Sequence, residues 1–386
     1  KEWGELDGLL GLESYWSYQT PFFHSCKNQL ELQALRPIKG FSSATNSKNK
    51  VKDKVMKIEE VIGIDVSKLT LDACIHSHQI FTQVPNTKKG YIKLLSWATK
   101  STGCSMDKVL FCFEHTGMYS SALACYMSEK QMNYIMVPGL EIKRSLGIQR
   151  GKNDRVDAMR IAQYAYRRRE EVRTYQLPEK AINKIRQLLS LREKLVRQCA
   201  GYEASLKDLS DFIKSSENKL VVSIQRNMVK ALARETEKVE KEIDSVLDAS
   251  PDIMHNYKLI TSITGVGRQT ALHLIVVTNN FMSFDDHRKL ASYAGVAPFP
   301  LISGTSIKGR TKVSPLANMK LKSLLSACAI SAIRHDPEMK IYFSRRAEVG
   351  KHKMNSINAV RNKLLARVFA VIRRGTPYVP LCQYAA

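Results

Sequence analysis

The 386-residue chain carries 60 Lys and Arg against 36 Asp and Glu, a formal net charge of +24. With 44% hydrophobic and 25% charged residues it reads as globular rather than disordered, and its length allows two or three domains. The longest apolar stretch, near Ala271 to Val277, is far too short to span a bilayer, so the polyanion that such a charge calls for is nucleic acid rather than a membrane.

Residues 1–55 are unlike the rest. They are aromatic and Gly-rich at first, then pass through a Ser/Thr/Asn stretch into Lys48–Lys54, with no sustained periodicity. The reading is either that Met56 is the natural start or that this segment is a loosely attached extension. No basic n-region followed by an apolar core marks a secretory signal. The eight cysteines show neither a C-x-x-C pair nor zinc-ligand spacing. Most sit among apolar neighbours and read as small buried hydrophobes, which points to a reducing cytoplasm.

From Val61 the pattern becomes regular. Val61–Ser67 predicts a buried strand with Asp65 inside it, and Leu69–His76 and Gln79–Val84 follow at hairpin spacing. A helix (Lys88–Thr99), a strand (Lys108–Glu114), a helix (Met118–Lys130) and a strand (Asn133–Val137) come next. Three strands followed by alternating helices and strands is the order of a ribonuclease-H-like α/β sheet. In that order the first and fourth strands are neighbours, which brings Asp65 to Glu114. His76 and His78 sit on one expected strand face without a third ligand, so they read as surface histidines.

Next comes Gly151-Lys152-Asn153-Asp154-Arg155-Val156-Asp157-Ala158. Asn153 is a good N-cap, and the helix is expected to continue through Arg167-Arg168-Arg169. Asp154 and Asp157, three residues apart, then share one helix face. Between Lys143 and Arg173 there are ten Lys/Arg and four Asp/Glu. Such a pair reads either as surface salt bridges to Arg155 and Arg160, or as part of a hard-metal site facing a phosphate backbone. Arg150, Lys152 and Arg155 are candidate phosphate contacts.

Apolar residues from Ile182 to Phe212 recur at three- and four-residue spacing, Ser215–Asn218 reads as a turn, and a second stripe runs from Val229 to Val246. This is a helical hairpin or coiled coil, either an arm for self-association or a bundle packed within the monomer. Asp248–Pro251 marks a boundary. Beyond it, Leu259–Ala271 resembles a helix-hairpin-helix, whose Gly265-Val266-Gly267 turn would offer backbone N–H groups to a phosphate. Ala294–Ser306 reads as a loop by its Gly and Pro content, and the remainder to Arg374 as helical and basic. From Lys308 to Arg374 there are sixteen Lys/Arg and three Asp/Glu. Lys308, Arg310, Lys312, Lys351 and Lys353 are the candidate DNA or RNA contacts there. The expected organisation is an extension (1–55), an α/β domain (56–175), a helical linker (176–250) and a mostly helical C-terminal domain (251–380).

Two or more of Asp65, Glu114, Asp154 and Asp157 converging on the sheet would suit Mg²⁺, which takes oxygen ligands and neutralises phosphate charge. Gly63-Ile64-Asp65-Val66-Ser67-Lys68, Phe113-Glu114-His115-Thr116-Gly117 and Lys152–Ala158 match the motifs of DEDD-type insertion-sequence transposases with a RuvC-like N-terminal domain, kin of the Piv DNA invertases. The resemblance runs from about Lys57 to Tyr378 and includes the Gly-Val-Gly segment, Pro298…Ser303-Gly304, Gly350–Lys353 and Ala359–Leu365. It implies bacterial or archaeal DNA strand transfer with Mg²⁺ on the acids. It further implies that Ser303 attacks a DNA phosphate to form a covalent intermediate. From the residues alone Ser303, Thr305, Ser306 and Ser314 are equal candidates, and only the resemblance selects Ser303. A structured noncoding bridge RNA is also implied, as are homo-oligomers in which the acids of one protomer meet the serine of another. The alternatives are a Holliday-junction-type nuclease, in which Ser303 is dispensable, and a nucleic-acid-binding protein without catalysis.

Overall fold

A computed structural model describes residues 57–145, 153–171, 175, 177–212, 218–303 and 307–380, apart from the side chains of 210–212, 301–303, 307, 308 and 310. The extension, Arg150 and Lys152 therefore lie outside the described residues. Contacts divide the chain into two compact units, one ending at Leu177 and the other beginning at Pro178.

The first unit is built on a five-stranded sheet in the order β3-β2-β1-β4-β5. Its strands are β1 (Glu60–Val66), β2 (Thr70–Ile75), β3 (Phe81–Pro85), β4 (Val109–Glu114) and β5 (Asn133–Val137). The first three strands pair antiparallel, while β4 and β5 run parallel to β1. Four helices cover the faces of this sheet: α1 (Lys88–Thr102), α2 (Met118–Glu129), α3 (Gly139–Ser145) and α4 (Asp154–Arg167). Strand side chains alternate between faces, and both faces here are apolar. Ile62, Ile64, Phe111 and Phe113 pack with Leu94, Leu123 and Met127 on one side. Val61, Leu110, Cys112 and Ile135 pack with Ile142, Ile161 and Tyr164 on the other. This is why β1 and β4 read as continuous hydrophobic runs. The mixed sheet with helices has the ribonuclease-H-like shape that the element order predicts.

Helix α4 ends at Arg167, earlier than expected. Its propensity would carry it through the arginines, but the chain is needed back at the sheet. Tyr175 N–H donates to the Tyr134 carbonyl at 2.8 Å, and Tyr175 and Leu177 pack against the sheet's core. Arg168 meanwhile donates to Glu141 at 2.7 Å, tying the end of α4 to α3. Tertiary packing overrides local preference here. The histidine pair also differs from expectation. Strand β2 stops at Ile75, and His76 stacks on Tyr166 with ring centroids 3.9 Å apart. Of the cysteines, Cys74, Cys112 and Cys328 are buried, but Cys125 is exposed on α2.

The second unit is mostly helical. A hairpin of long helices, α5 (Lys180–Phe212) and α6 (Lys219–Asp248), precedes α7 (Pro251–Thr261), α8 (Arg268–Thr278) and α9 (His287–Tyr293). After a two-stranded ribbon of β6 (Pro298–Ser303) and β7 (Ile307–Val313) come α10 (Met319–His335), α11 (Pro337–Glu348) and α12 (Lys353–Arg374). The near ends of the long helices belong to the unit's core. Ile182, Ile185, Leu189, Val239, Ile243 and Leu247 share one cluster with Leu259, Leu274, Leu325 and Leu364. Toward the start of α6 the apolar residues face solvent instead: Leu220, Val221, Ile224 and Met228 are all exposed.

The segment read as a loop is in fact a hairpin. A two-stranded ribbon consists only of edges, so Pro298 and Pro300 can enter it without breaking an interior ladder. The register shifts between Phe299 and Leu301, around Pro300, and a bulge of this kind is where a strand tolerates an absent donor. Gly and Pro content suggested irregular backbone, but the pairing partner across the turn decided otherwise. Among the described residues no helix is long and apolar enough to cross a membrane.

Candidate active site

The sheet brings the acids together by register. Ile64 pairs with Phe113 in the parallel β1–β4 ladder, so Asp65 follows on one strand where Glu114 follows on the other. Across the antiparallel ladder Asp65 faces Asp72 on β2. Helix α4 supplies the remaining pair. Asn153 caps it, its side-chain oxygen accepting from Arg155 N–H at 3.2 Å, and Asp154 and Asp157 occupy the first turn. Carboxylates there are also favoured by the helix dipole.

Gly63 sets how close α4 can come to β1. A Cβ built there would lie within 2.8 Å of the Ala162 Cα, with helix backbone closer still. Only a residue without a side chain allows that crossing. A second glycine acts on Glu114. A Cβ at Gly139, the first residue of α3, would lie within 2.6 Å of the Glu114 carboxyl carbon. The backbone at Gly139 is thus one wall of the Glu114 side chain.

The electrostatics match this convergence. The Asp65 carboxyl is pushed up to about 6, first by burial and then by the negative charges of Asp157, Glu114, Asp154 and Asp72. Asp72, a buried acid that the motif reading passed over, is itself raised by burial, while the Gln83 amide donating to it at 2.9 Å works the other way. Asp157 accepts from Arg160 at 2.9 Å, one of the salt bridges that the helix spacing predicts. Asp154 and Arg155 are exposed. Among the described residues, no three His, Cys, Asp or Glu side chains close to metal-holding distance. The donor set is nevertheless all oxygen and of one sign, and its central member is driven toward protonation by burial and by its neighbours. That is the chemistry a hard divalent cation satisfies.

The candidate residues of the second unit are placed as follows. Ser303 is the last residue of β6 and pairs with Ile307; Thr305 and Ser306 lie outside the described residues. Lys308, Arg310 and Lys312 are on β7, where Lys312 is exposed, and Lys351 and Lys353 flank His352, the N-cap of α12. Gly265 has a packing reason to be glycine: its φ is +91°, and a Cβ would lie 2.7 Å from Ala332 N of α10. Gly267 faces open space as the N-cap residue of α8.

Comparison with known proteins follows the same division. Residues 62–213 match a family described as Transposase, of the DEDD IS110 type, and residues 257–344 match one described as Transposase IS116/IS110/IS902 family. Pilin gene-inverting proteins of Moraxella lacunata and Moraxella bovis are each 28% identical over 323 residues, 82% of this chain and 97% of theirs. An uncharacterized 43.6 kDa protein of insertion element IS110 from Streptomyces coelicolor is 31% identical over 159 residues, 41% of this chain and 38% of that protein. The acids fall inside the first family match and Ser303 inside the second, and the two together span more than half of the sequence. The chain belongs to the IS110 family of DEDD transposases, a transposase and recombinase family related to the pilin gene-inverting proteins.

Proposed function

We propose that this protein recombines the DNA of a mobile element, cutting and rejoining it through a covalent link to Ser303. The family implies DNA as partner and divalent-metal chemistry; the finer assignment is Mg²⁺ held by Asp65, Glu114, Asp154 and Asp157 of a RuvC-like domain. The observation that carries it is the meeting of Asp65 and Glu114 at adjacent strand ends, with Asp154 and Asp157 acting on the same carboxyl. When bound, the ion would neutralise charge on the phosphoryl oxygens.

In the proposed step Ser303 Oγ attacks a DNA phosphorus. A serine–phosphate bond forms as the bond from phosphorus to a deoxyribose oxygen breaks. The serine proton is lost to a base, and the departing oxygen takes one up. Attack by a hydroxyl of the incoming strand reverses the step and conserves the phosphodiester. Arg150, Lys152, Arg155, Lys308, Arg310, Lys312, Lys351 and Lys353 are the proposed backbone contacts, with the Gly265–Gly267 turn as a further one. A bridge RNA would select sites by pairing, which suits a strongly basic chain. Self-association through the exposed apolar residues of the α5–α6 hairpin would assemble a dimer or tetramer.

The test is a trapping assay on the purified protein with its co-purifying RNA, Mg²⁺ and DNA carrying the element's ends. A denaturation-resistant adduct, absent in Ser303→Ala and in Asp154→Asn, is the expected result. Cleavage without any adduct, unchanged in Ser303→Ala, would make the protein a metal-dependent nuclease. Tight binding with no cleavage at all would leave a nucleic-acid-binding protein.

A further inference from the structure

Helix α12 carries two arginines six residues apart that are treated in opposite ways. Arg367 donates to Asp336 at 2.5 Å and to Glu338 at 2.6 Å, so its charge is met by two carboxylates. Arg361 is more deeply buried, 6% exposed, yet no carboxylate meets it among the described residues. Its Nη1 donates at 3.3 Å to the side-chain oxygen of Asn358, a neutral acceptor. Its Nε is buried with no acceptor, so part of the guanidinium's donor set is unmet. A guanidinium does not shed its proton in a protein, so the charge remains where it is. A second cation bears on it: burial, and then the charge of Arg361, hold the Lys322 ammonium of α10 below the usual lysine range. Two cations that repel each other without an anion are costly unless a partner completes the set.

The position is as informative as the charge. Asn358 and Asn362 both donate to the Val296 carbonyl, at 2.7 and 2.9 Å, two residues ahead of β6. Arg361 is thus linked through Asn358 to the base of the hairpin that carries Ser303, Lys308, Arg310 and Lys312. We propose that the base of this hairpin is a phosphate-binding site, where Arg361, with Lys322 beside it, grips a backbone phosphodiester of the bound nucleic acid. The ligand's class follows from the donor and its setting: a guanidinium suits a phosphate oxygen better than a halide, and the surrounding stretch, Lys308 to Arg374, carries sixteen Lys/Arg against three Asp/Glu, which favours a polyanion. This inference rests on the recombinase reading for its polymer, but its test does not pass through the serine chemistry.

The experiment uses the full chain and its Arg361→Met, Arg361→Lys and Lys322→Met variants. Each is titrated with a 30-base-pair duplex DNA and, separately, with a single-stranded RNA across a range of salt. Arg361→Met is expected to unfold at or above the wild-type temperature without nucleic acid. Its affinity for one of the two polymers should fall about tenfold, and the slope of log affinity against log salt should shrink by about one. Arg361→Lys should keep the slope, and the polymer that responds identifies the source of the phosphate. Unchanged slopes for both polymers would overturn the site and make Arg361 a structural core residue. If Arg361→Met fails to fold, Lys322→Met decides by the same slope. A missing Ser303 adduct alongside a reduced slope would sink the strand-transfer reading and leave the phosphate site standing.

Discussion

The two units pose opposite electrostatic problems. In the first, neighbouring strand ends and one helix gather Asp65, Glu114, Asp154 and Asp157, and burial, then the neighbouring negative charges, push Asp65 up to about 6. In the second, Arg361 is buried beside Lys322 with a neutral amide as its hydrogen-bond acceptor. Each unit thus holds one cluster in which charge of a single sign predominates, the acids in the first and Arg361 with Lys322 in the second. The contrast teaches that burial, not exposure, marks the informative charges in this protein. Most of the basic residues among those described stand in solvent, where charge is cheap; Asp65 and Arg361 do not.

The comparison breaks most visibly at the acids. Asp65→Asn should abolish strand cleavage, a loss of a thousandfold or more on the order of magnitude expected when a metal's ligand is removed. Mg²⁺ should raise the melting temperature of the wild type by binding the folded state, and Asp65→Asn should cancel that rise; an unaltered Mg²⁺ response in the variant would remove Asp65 from the metal site. Gly63→Ala forces a methyl group into the α4 backbone and should cost about 3 kcal/mol in denaturant unfolding. A variant as stable as the wild type would mean that α4 can lift off β1 without penalty.

Smaller effects sharpen the picture. Gly139→Ala pushes on the Glu114 carboxyl rather than on a packed helix, so cleavage should fall roughly tenfold or more through misplacement, with little loss of stability. Equal losses in both would make Gly139 a packing residue and nothing else. Asn153→Ala removes the cap of the helix that carries Asp154 and Asp157 and should cost about 1 kcal/mol, read by thermal unfolding. Arg160→Met leaves Asp157 without one partner. Because that pair is partly exposed, stability should change by less than about 1 kcal/mol, while the weakest Mg²⁺ concentration that supports cleavage should shift.

Much of the first unit was legible. Val61–Ser67 and Lys108–Glu114 are apolar runs bounded by polar turns, so their strands and even their adjacency follow from element order. The three motifs around Asp65, Glu114 and Asp154–Asp157 pick out the acids proposed for the site, and the fold brings them to one end of the sheet. Gly63 and Gly139 were not legible as parts of it. Gly63 stood inside a quoted motif, but only the crossing of α4 shows what its missing Cβ permits. Asp72 is invisible as a site residue until the antiparallel register sets it opposite Asp65. The hairpin at Pro298–Val313 was missed because prolines signal irregularity wherever the pairing partner is unknown.

By itself the sequence determined most of the strands and helices, through apolar periodicity and caps, and which acids to propose for the chemistry, through motif spacing. These are local properties, readable within a dozen residues. The tertiary structure alone decided where α4 ends, how near it lies to β1, that residues 298–313 pair, and that Arg367 finds carboxylates while Arg361 does not. Each of those depends on which distant residue arrives alongside, and a linear pattern holds no record of distance.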